Sequence, residues 1–367
     1  MNTPDSSFGL TAPLPITHAH SDSVLTVGKF VIRDRIVLAP MAGVTDYPFR
    51  RLCRELGAGY AVAEMTSAQR HLYQSAKSQR RIRRGDDESP FVVQIIGNDA
   101  QALADTARFH EQQGANIIDV NMGCPAKKLL KKAAGSALLA DEKKVGDILN
   151  AVVRAVSVSV TLKFRTGINV HHKNAVRVAR IAEDAGVALL SLHGRTRDCL
   201  FRGEAEYNTI RDVKAAVRIP VLANGDIDSV SKAQRVLAFT GADGVMIGRA
   251  ALGRPWFFRA LAQNLFTNAD QKQSAELSLA EKGQWIMRHL DSIHEFYGEK
   301  TGARLARKHL LAYARYLGVR PHTMDENFYS LFISTENALV QKQMWQTLWH
   351  EIEQRTEGKY RMSRKAA

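Results

Sequence analysis

Cys124 stands in Asp119-Val-Asn121-Met-Gly-Cys124-Pro125, directly behind a short apolar run. A thiol in a polar loop can serve as nucleophile, metal ligand or general acid; a lone cysteine can also be an inert packing residue. Cys53, inside Phe49-Arg-Arg-Leu-Cys-Arg-Glu-Leu56, reads as packing, and Cys199 carries no evident role. The three cysteines have no CxxC spacing and no paired histidine, so neither a zinc site nor zinc-deaminase chemistry is expected. Other polar residues follow apolar runs in the same way: Ala39-Pro40-Met41-Ala42-Gly43, Glu64-Met65, Lys163-Phe-Arg165, His193-Gly-Arg195, Asn224-Gly225-Asp226 and Gly248-Arg249-Ala250, with Gln94 inside a run of its own. One such residue would be scaffold; a set recurring behind run after run reads as the wall of one polar site. Gly225 and Gly248 let the backbone approach a ligand, the N–H groups that follow can face an anion, and Arg249 can add a charge-assisted bond. The plainer reading of either glycine alone is a turn.

The elements that must position these residues are legible as a rhythm. Apolar, β-branched runs occur at 36–39, 60–63, 91–95, 117–120, 158–162, 189–192, 221–223 and 244–247, separated by amphipathic stretches. Asp99 and Ser229 are expected to cap helices, and Gly186 to end one. Eight strands each followed by a helix predict an α/β fold, a closed (β/α)₈ TIM barrel, whose function sits at the C-terminal strand ends. An open doubly wound sheet is the alternative, but no GxGxxG follows any strand. After Trp256 the rhythm gives way to expected helices over 279–296, 303–317 and 328–352. The expected organisation is an N-terminal extension (1–25) outside the fold, a barrel (26–260) and a C-terminal helical domain (261–367).

The charge narrows the partner. The chain has 367 residues and a formal net charge of +14, which favours a polyanion, nucleic acid before an anionic membrane. Lys127, Lys128, Lys131 and Lys132 follow the Cys124 loop, and Arg304, Arg307 and Lys308 share one helical stripe, with Arg315 beyond. Tyr297, Tyr313 and Tyr316 are interleaved there and can stack on bases or simply pack. Solvated charged faces are the plainer reading. Three cysteines in a chain this long point to a reducing compartment, the cytoplasm. No apolar stretch is long enough to span a membrane, and the N-terminus does not read as a secretory signal.

These stretches resemble the tRNA-dihydrouridine synthases, and within them the bacterial B-type enzymes. The resemblance rests on APMAGVTDYPFR at 39–50, DVNMGCPAKK at 119–128, LKFRTG at 162–167, HGRTR at 193–197, VLANGDI at 221–227, GADGVMIGRAALGRPWFF at 241–258 and RLARKHLLAY at 304–313. It covers roughly 27–320 and departs in the N-terminal extension and beyond Pro321. It implies FMN at the barrel mouth, NADPH as reductant and tRNA as substrate; separately, no metal is expected, and the chain is expected to be a monomer. Pro40, Met41 and Ala42 would line the flavin. Gln94 and Lys163 would bond its ring or ribityl chain, with His193 close by, and Asn224, Gly225, Asp226, Gly248 and Arg249 would hold the ribityl–phosphate end. Asn121 and Arg165 would hold the uracil. Lys127, Lys128, Lys131, Lys132, Arg304, Arg307 and Lys308 would grip the RNA backbone. The implied reaction passes a hydride from reduced FMN to C6 of uracil and a proton from Cys124 to C5, in the D-loop, with the seventeenth nucleotide suggested by the B-type likeness.

Two other readings remain open. A small-molecule flavin oxidoreductase of dihydropyrimidine or dihydroorotate type would use the same barrel, and the basic tail speaks against it. A non-catalytic RNA-binding protein would need the charge but not the thiol and polar strand ends. Flavin colour in the purified protein, and reoxidation of its reduced form by tRNA but not by free uracil, separates the three.

Overall fold

All eight apolar runs form strands, because buried runs of this length rich in β-branched residues suit a sheet covered on both faces. The protein is described by a computed structural model covering residues 24–365, except 70, 72–74, 86–87 and 266–275. In chain order the strands are β1 (Leu25–Val27), β2 (Phe30–Ile32), β3 (Ile36–Leu38), β4 (Tyr60–Ala61), β5 (Thr66–Ser67), β6 (Val92–Ile96), β7 (Ile117–Met122), β8 (Ser159–Arg165), β9 (Gly167–Asn169), β10 (His172–Lys173), β11 (Leu189–His193), β12 (Val221–Asn224) and β13 (Gly244–Ile247). The main sheet is parallel, in the order β4-β3-β13-β12-β11-β8-β7-β6-β5. β4 pairs with β3 and lies in the second run of the rhythm, while β5, just beyond the end of that run, pairs with β6. A Val62–Val92 bridge and the bond from the Ala63 N–H to the Val92 carbonyl (2.9 Å) join the two edges. The sheet therefore curls round on itself as the expected TIM barrel.

Helices follow the strands where a side chain can accept an otherwise unpaired N–H. Asp99 accepts from Ala102 and Ser229 from Lys232, as expected, and Asp46 and Asp141 do the same for Phe49 and Lys144. Gly186, at φ +89, follows the Ala175–Asp184 helix.

Two antiparallel pairs were not expected, β9 with β10 and, at the start of the fold, β1 with β2. β1 and β2 form an antiparallel hairpin, Leu25 opposite Ile32 and Val27 opposite Phe30. Leu25, Val27 and Ile32 are buried against Val37, Tyr60, Val62, Val92, Ile117, Leu189, Leu222 and Met246, closing the barrel core from below the strands. The chain thus joins the fold from Leu25; residues 1–23 of the expected extension lie outside the described residues.

Two compact units are present, the second comprising Ala251–Phe257 and the described residues from Glu276 onward. The sequence placed the start of the helical region near 261. Within this second unit the helices Leu279–Tyr297 and Glu299–Tyr316 join at Gly298 and pack together. The first opens with a capping box between Ser278 and Glu281. The helix expected over 328–352 is two helices, Glu326–Ser334 and Ala338–Lys365. The break has a local cause: Thr335 is extended (ψ 136°), and the Asn337 side chain accepts the Val340 N–H at 2.9 Å to start the next helix. Gln341, fully buried, donates to the Ala303 carbonyl (2.8 Å) and bonds His294 (2.9 Å), tying the last helix to the pair before it. Among the described residues no helix is long and apolar enough to cross a membrane.

Candidate functional site

Strand register decides which polar side chains meet. Gln94, Asp119 and Thr161 stand opposite one another on β6, β7 and β8, and Asn121 faces Lys163 one layer nearer the C-terminal ends. Thr161 donates to Asp119 Oδ1 at 2.6 Å, and Gln94 Nε2 donates to Oδ2 at 2.7 Å. Asn121 Nδ2 donates to Gln94 Oε1 at 2.8 Å. Asn121 Oδ1 then accepts the N–H groups of Gly123 (3.0 Å) and Cys124 (2.9 Å). Burial raises the Asp119 carboxyl to about 6, opposed by the hydrogen bonds from Thr161 and Gln94 and by Lys163.

Cys124 is half-buried at the end of this row. Its carbonyl accepts from both the N–H (3.1 Å) and the hydroxyl (3.0 Å) of Ser136. Lys163 and Arg165 lie within electrostatic range of the Cys124 side chain. Lys163 bonds Asn224 Oδ1 at 2.9 Å, and Asn224 donates to the Met246 carbonyl at 2.7 Å, linking β8, β12 and β13. Desolvation, then Arg165, lowers the Lys163 ammonium to about 8. Arg165 is buried and points its guanidinium at three carbonyls, Gly123 (2.7 Å), Thr196 (2.9 Å) and Leu200 (2.7 Å). It therefore braces the loops behind β7 and β11. His193 is buried, and desolvation followed by Lys163, Arg165, Arg195 and Arg249 pushes its pKa well down, so it is neutral.

At the ends of β12 and β13, Asp226 accepts from Arg195 and, at 2.8 Å, from Arg249; its Oδ2 also takes the Ala205 N–H at 2.9 Å. With both oxygens occupied, Asp226 orients arginines and is poorly suited to meet a phosphate itself. Arg249 keeps 61% of its side-chain surface exposed. Gly225, at φ +123, lies so close to its neighbours that a Cβ would come within 2.7 Å of Ala205 and 2.9 Å of His193. A Cβ on Gly248 would meet Ala39 at 3.8 Å and Met41 at 3.9 Å, ordinary van der Waals contact, so crowding does not require this glycine. Pro40, Met41 and Ala42 lead into a turn in which the Met41 carbonyl accepts from Val44 and Thr45. Glu64 anchors that turn by accepting the Gly43 N–H at 2.6 Å.

The structure thus gathers Cys124, Asn121 and Gln94 through one chain of bonds, Lys163 and Asn224 through another, and Asp226 with Arg249. Three participants went unassigned from sequence. Arg195 could have been found as the basic residue two beyond His193. Glu64 was visible at a strand end, without a signal for its partner. Phe201, 55% exposed, has the guanidinium groups of Arg165 (5.2 Å) and Arg249 (5.4 Å) over its ring and His193 at 6.2 Å; an aromatic in a loop carries no sequence signal.

The basic residues fall into two groups. Lys127, Lys128, Lys131 and Lys132 are exposed on the one-turn Lys127–Leu130 helix and the turn after it. Arg304 and Lys308 lie on the Glu299–Tyr316 helix, where Arg304 reaches Glu336 at 3.8 Å. Arg307 donates to the Ser334 (2.6 Å) and Thr335 (2.8 Å) carbonyls and so completes the end of the Glu326–Ser334 helix. Of the tyrosines, Tyr313 is buried, bonded to His289 (2.9 Å) and stacked on Trp256, so it packs. Tyr316 is 45% exposed. Among the described residues no group of three or more His, Cys, Asp or Glu could hold a metal ion.

A family model described as Dihydrouridine synthase (Dus) matches residues 37–347. The chain is 51% identical over 319 residues to the tRNA-dihydrouridine synthase B of Pseudomonas syringae pv. tomato, an alignment covering 87% of this chain and 92% of that one. It is 53% identical over 300 residues to the protein of the same name from Pseudomonas putida (82% and 87% covered), and 48% over 317 residues to that of Salmonella typhimurium (86% and 96%). Among solved structures, a 2-naphthoyl-CoA reductase in complex with 2-naphthoyl-CoA superposes with a TM-score of 0.53 at 12% identity, over 66% of this chain and 52% of that chain. That last likeness is one of fold alone.

Proposed function

The chain belongs to the dihydrouridine synthase family, in its bacterial B-type branch, and from that premise we propose that it reduces D-loop uridines of tRNA to 5,6-dihydrouridine, drawing electrons from NADPH through bound FMN. The observation that carries the reading is the Cys124 loop, fixed by Asn121 beside a desolvated lysine and a buried arginine.

The strand ends suit a planar, electron-rich group bearing a phosphate. Gly225 is required by its crowding against Ala205 and His193 and shapes the turn after β12, the Gly248 backbone is less crowded, Arg249 offers an exposed guanidinium, and Lys163 offers a desolvated ammonium. Pro40, Met41 and Ala42 would line such a group, with Gln94, His193 and Asn224 around it and Asp226 holding Arg249 in place. When bound, FMN supplies the hydride that adds to C6 of the uracil. Cys124 then donates the proton to C5, which requires its thiol neutral before the step and leaves a thiolate near Lys163 and Arg165, whose charges stabilise it. Neutral His193 adds no further positive charge among these groups. The barrel unit would hold the flavin; the exposed lysines after Cys124 and the Arg304–Lys308 face would hold RNA backbone, with the base turned out of its stack. Such an enzyme works in the cytoplasm, and the seventeenth nucleotide is its expected target.

The test is direct. Purified protein should carry a flavin spectrum, and its reduced form should be reoxidised by tRNA from cells lacking the protein but not by free uracil, with dihydrouridine mapped at position 17. Cys124→Ala should keep its flavin and its reduction by NADPH while losing about 100-fold or more in tRNA turnover. Reoxidation by free uracil as fast as by tRNA would move the protein to the small-molecule class. A Cys124→Ala enzyme with full turnover would remove the thiol from the reaction.

A further inference from the structure

We propose that Asp119 is a positioning residue for the Cys124 loop: as the acceptor ending the row Asp119–Gln94–Asn121, it fixes which way both side-chain amides face and thereby holds the N–H of Cys124. The proposal rests on the function above and adds to it a residue outside the reacting groups.

Donor and acceptor polarity sets the direction of the row. A side-chain amide has an oxygen that accepts and a nitrogen that donates, and the two ends have nearly the same shape. Asp119 is buried in the barrel, where aliphatic residues usually fill the layer. An ionised carboxylate only accepts. It takes the Thr161 hydroxyl on one oxygen (2.6 Å) and Gln94 Nε2 on the other (2.7 Å). Gln94 must then turn Oε1 toward Asn121, which meets it with Nδ2 at 2.8 Å. Asn121 in turn must present Oδ1 to the loop, where it receives Gly123 N (3.0 Å) and Cys124 N (2.9 Å). Reverse one amide and the row fails: Asn121 would bring an NH₂ group against two N–H groups, and the loop carrying Cys124 would have to move. Buried polar rows are costly when partly satisfied and specific when fully satisfied. Asp119 is the terminus that makes this row run in one direction.

Three variants of the full chain with its flavin test this. In Asp119→Val the row has no terminus, Gln94 can reverse, and the loop loosens. We expect kcat for tRNA to fall about tenfold or more at little-changed KM, since misplacement of this kind carries such penalties. Alkylation of Cys124 by iodoacetamide should become several-fold faster. In Asp119→Asn the Oδ1 can still accept from Gln94 while Nδ2 donates to the Thr161 hydroxyl, so kcat and alkylation should stay within about threefold of the parent. If Asp119→Val does not fold, Gln94→Leu cuts the row one link further along and should accelerate Cys124 alkylation equally. Parent-like alkylation and kcat in Asp119→Val, or in Gln94→Leu where it substitutes, overturns the proposal. So does an Asp119→Asn as impaired as Asp119→Val, which would make charge rather than direction the contribution. Alkylation is read without RNA, so a parent enzyme that fails to reduce tRNA sinks the proposed function while leaving the Asp119 row to be judged separately.

Discussion

Lys163 shows how one residue's chemistry follows from where a strand puts it. Midway between β7 and β11, it has Asn224 as its bonded partner, and desolvation brings its ammonium down to about 8. Two pH effects of opposite sign follow. Between about 8 and the ordinary lysine value the folded state binds fewer protons than the unfolded chain, so this residue's contribution to apoprotein stability rises with pH over that window. Below about 8 the group is charged and attracts an electron-rich ligand. The affinity of the apoprotein for FMN should therefore weaken as pH rises through about 8, by up to about tenfold per unit. Lys163→Met should bind more weakly at neutral pH and lose that dependence. Titrating FMN into both proteins from about pH 7 to about pH 9, to either side of that value, checks this. Parallel pH profiles would mean that the charge on Lys163 takes no part in holding flavin.

At the scale of elements, the barrel was legible because its strands are short buried runs separated by helical stretches of amphipathic period, and because Asp99 and Ser229 are the residue types that cap helices. The β1–β2 hairpin was not legible. Its strands have three residues each, Leu-Thr-Val and Phe-Val-Ile, too few to show a period, and they lie next to a polar stretch. The strand-end residues of the site could be named from their place behind each run. The Asp119–Gln94–Asn121 row could not, because it depends on the register between β6, β7 and β8, which no single strand encodes. Likewise nothing local marks Arg307 as completing a helix that begins at Glu326. The hairpin makes a prediction of its own. Leu25 is 1% exposed against the barrel core, so Leu25→Ala should cost about 2–5 kcal/mol of stability by leaving a cavity. Because Leu25 lies at the opposite end of the strands from Cys124 and Arg249, flavin content below the melting transition should be unchanged. Thermal or denaturant unfolding followed by tyrosine and flavin signals measures both. An unaltered midpoint would mean that the hairpin covers the core without stabilising it.

For the whole molecule the governing quantity is charge. A net +14 spread over 367 residues is a field suited to a polyanion, but only cations near the backbone of a bound RNA release its counterions. The structure sorts the basic residues in a way that total charge does not. Lys127, Lys128, Lys131 and Lys132 are exposed just beyond the Cys124 loop, with Lys132 lightly held by Gln69 at 3.2 Å. Arg307 is committed to backbone carbonyls inside the helical unit. Replacing it would mix impaired folding with impaired binding, so the informative tail variant is Arg304→Ala with Lys308→Ala, leaving Arg307 in place. Replacing the four lysines together by alanine should weaken tRNA binding and reduce the slope of log affinity against log salt by about 3, at roughly 0.7 to 0.9 for each phosphate no longer neutralised. The tail pair should lower the slope by about 1 to 2 on the same scale. Neither should alter reduction of the flavin by NADPH, since the flavin would sit among the strand-end residues around Lys163 and Arg249. Affinities measured at several salt concentrations for the parent and both variants decide the matter. A lysine variant with the parent's slope would mark those residues as a solvated face. The RNA backbone would then have to be held elsewhere, and an unchanged slope in the tail pair as well would leave the exposed Arg249 and Phe201 at the strand ends as the next surface to test.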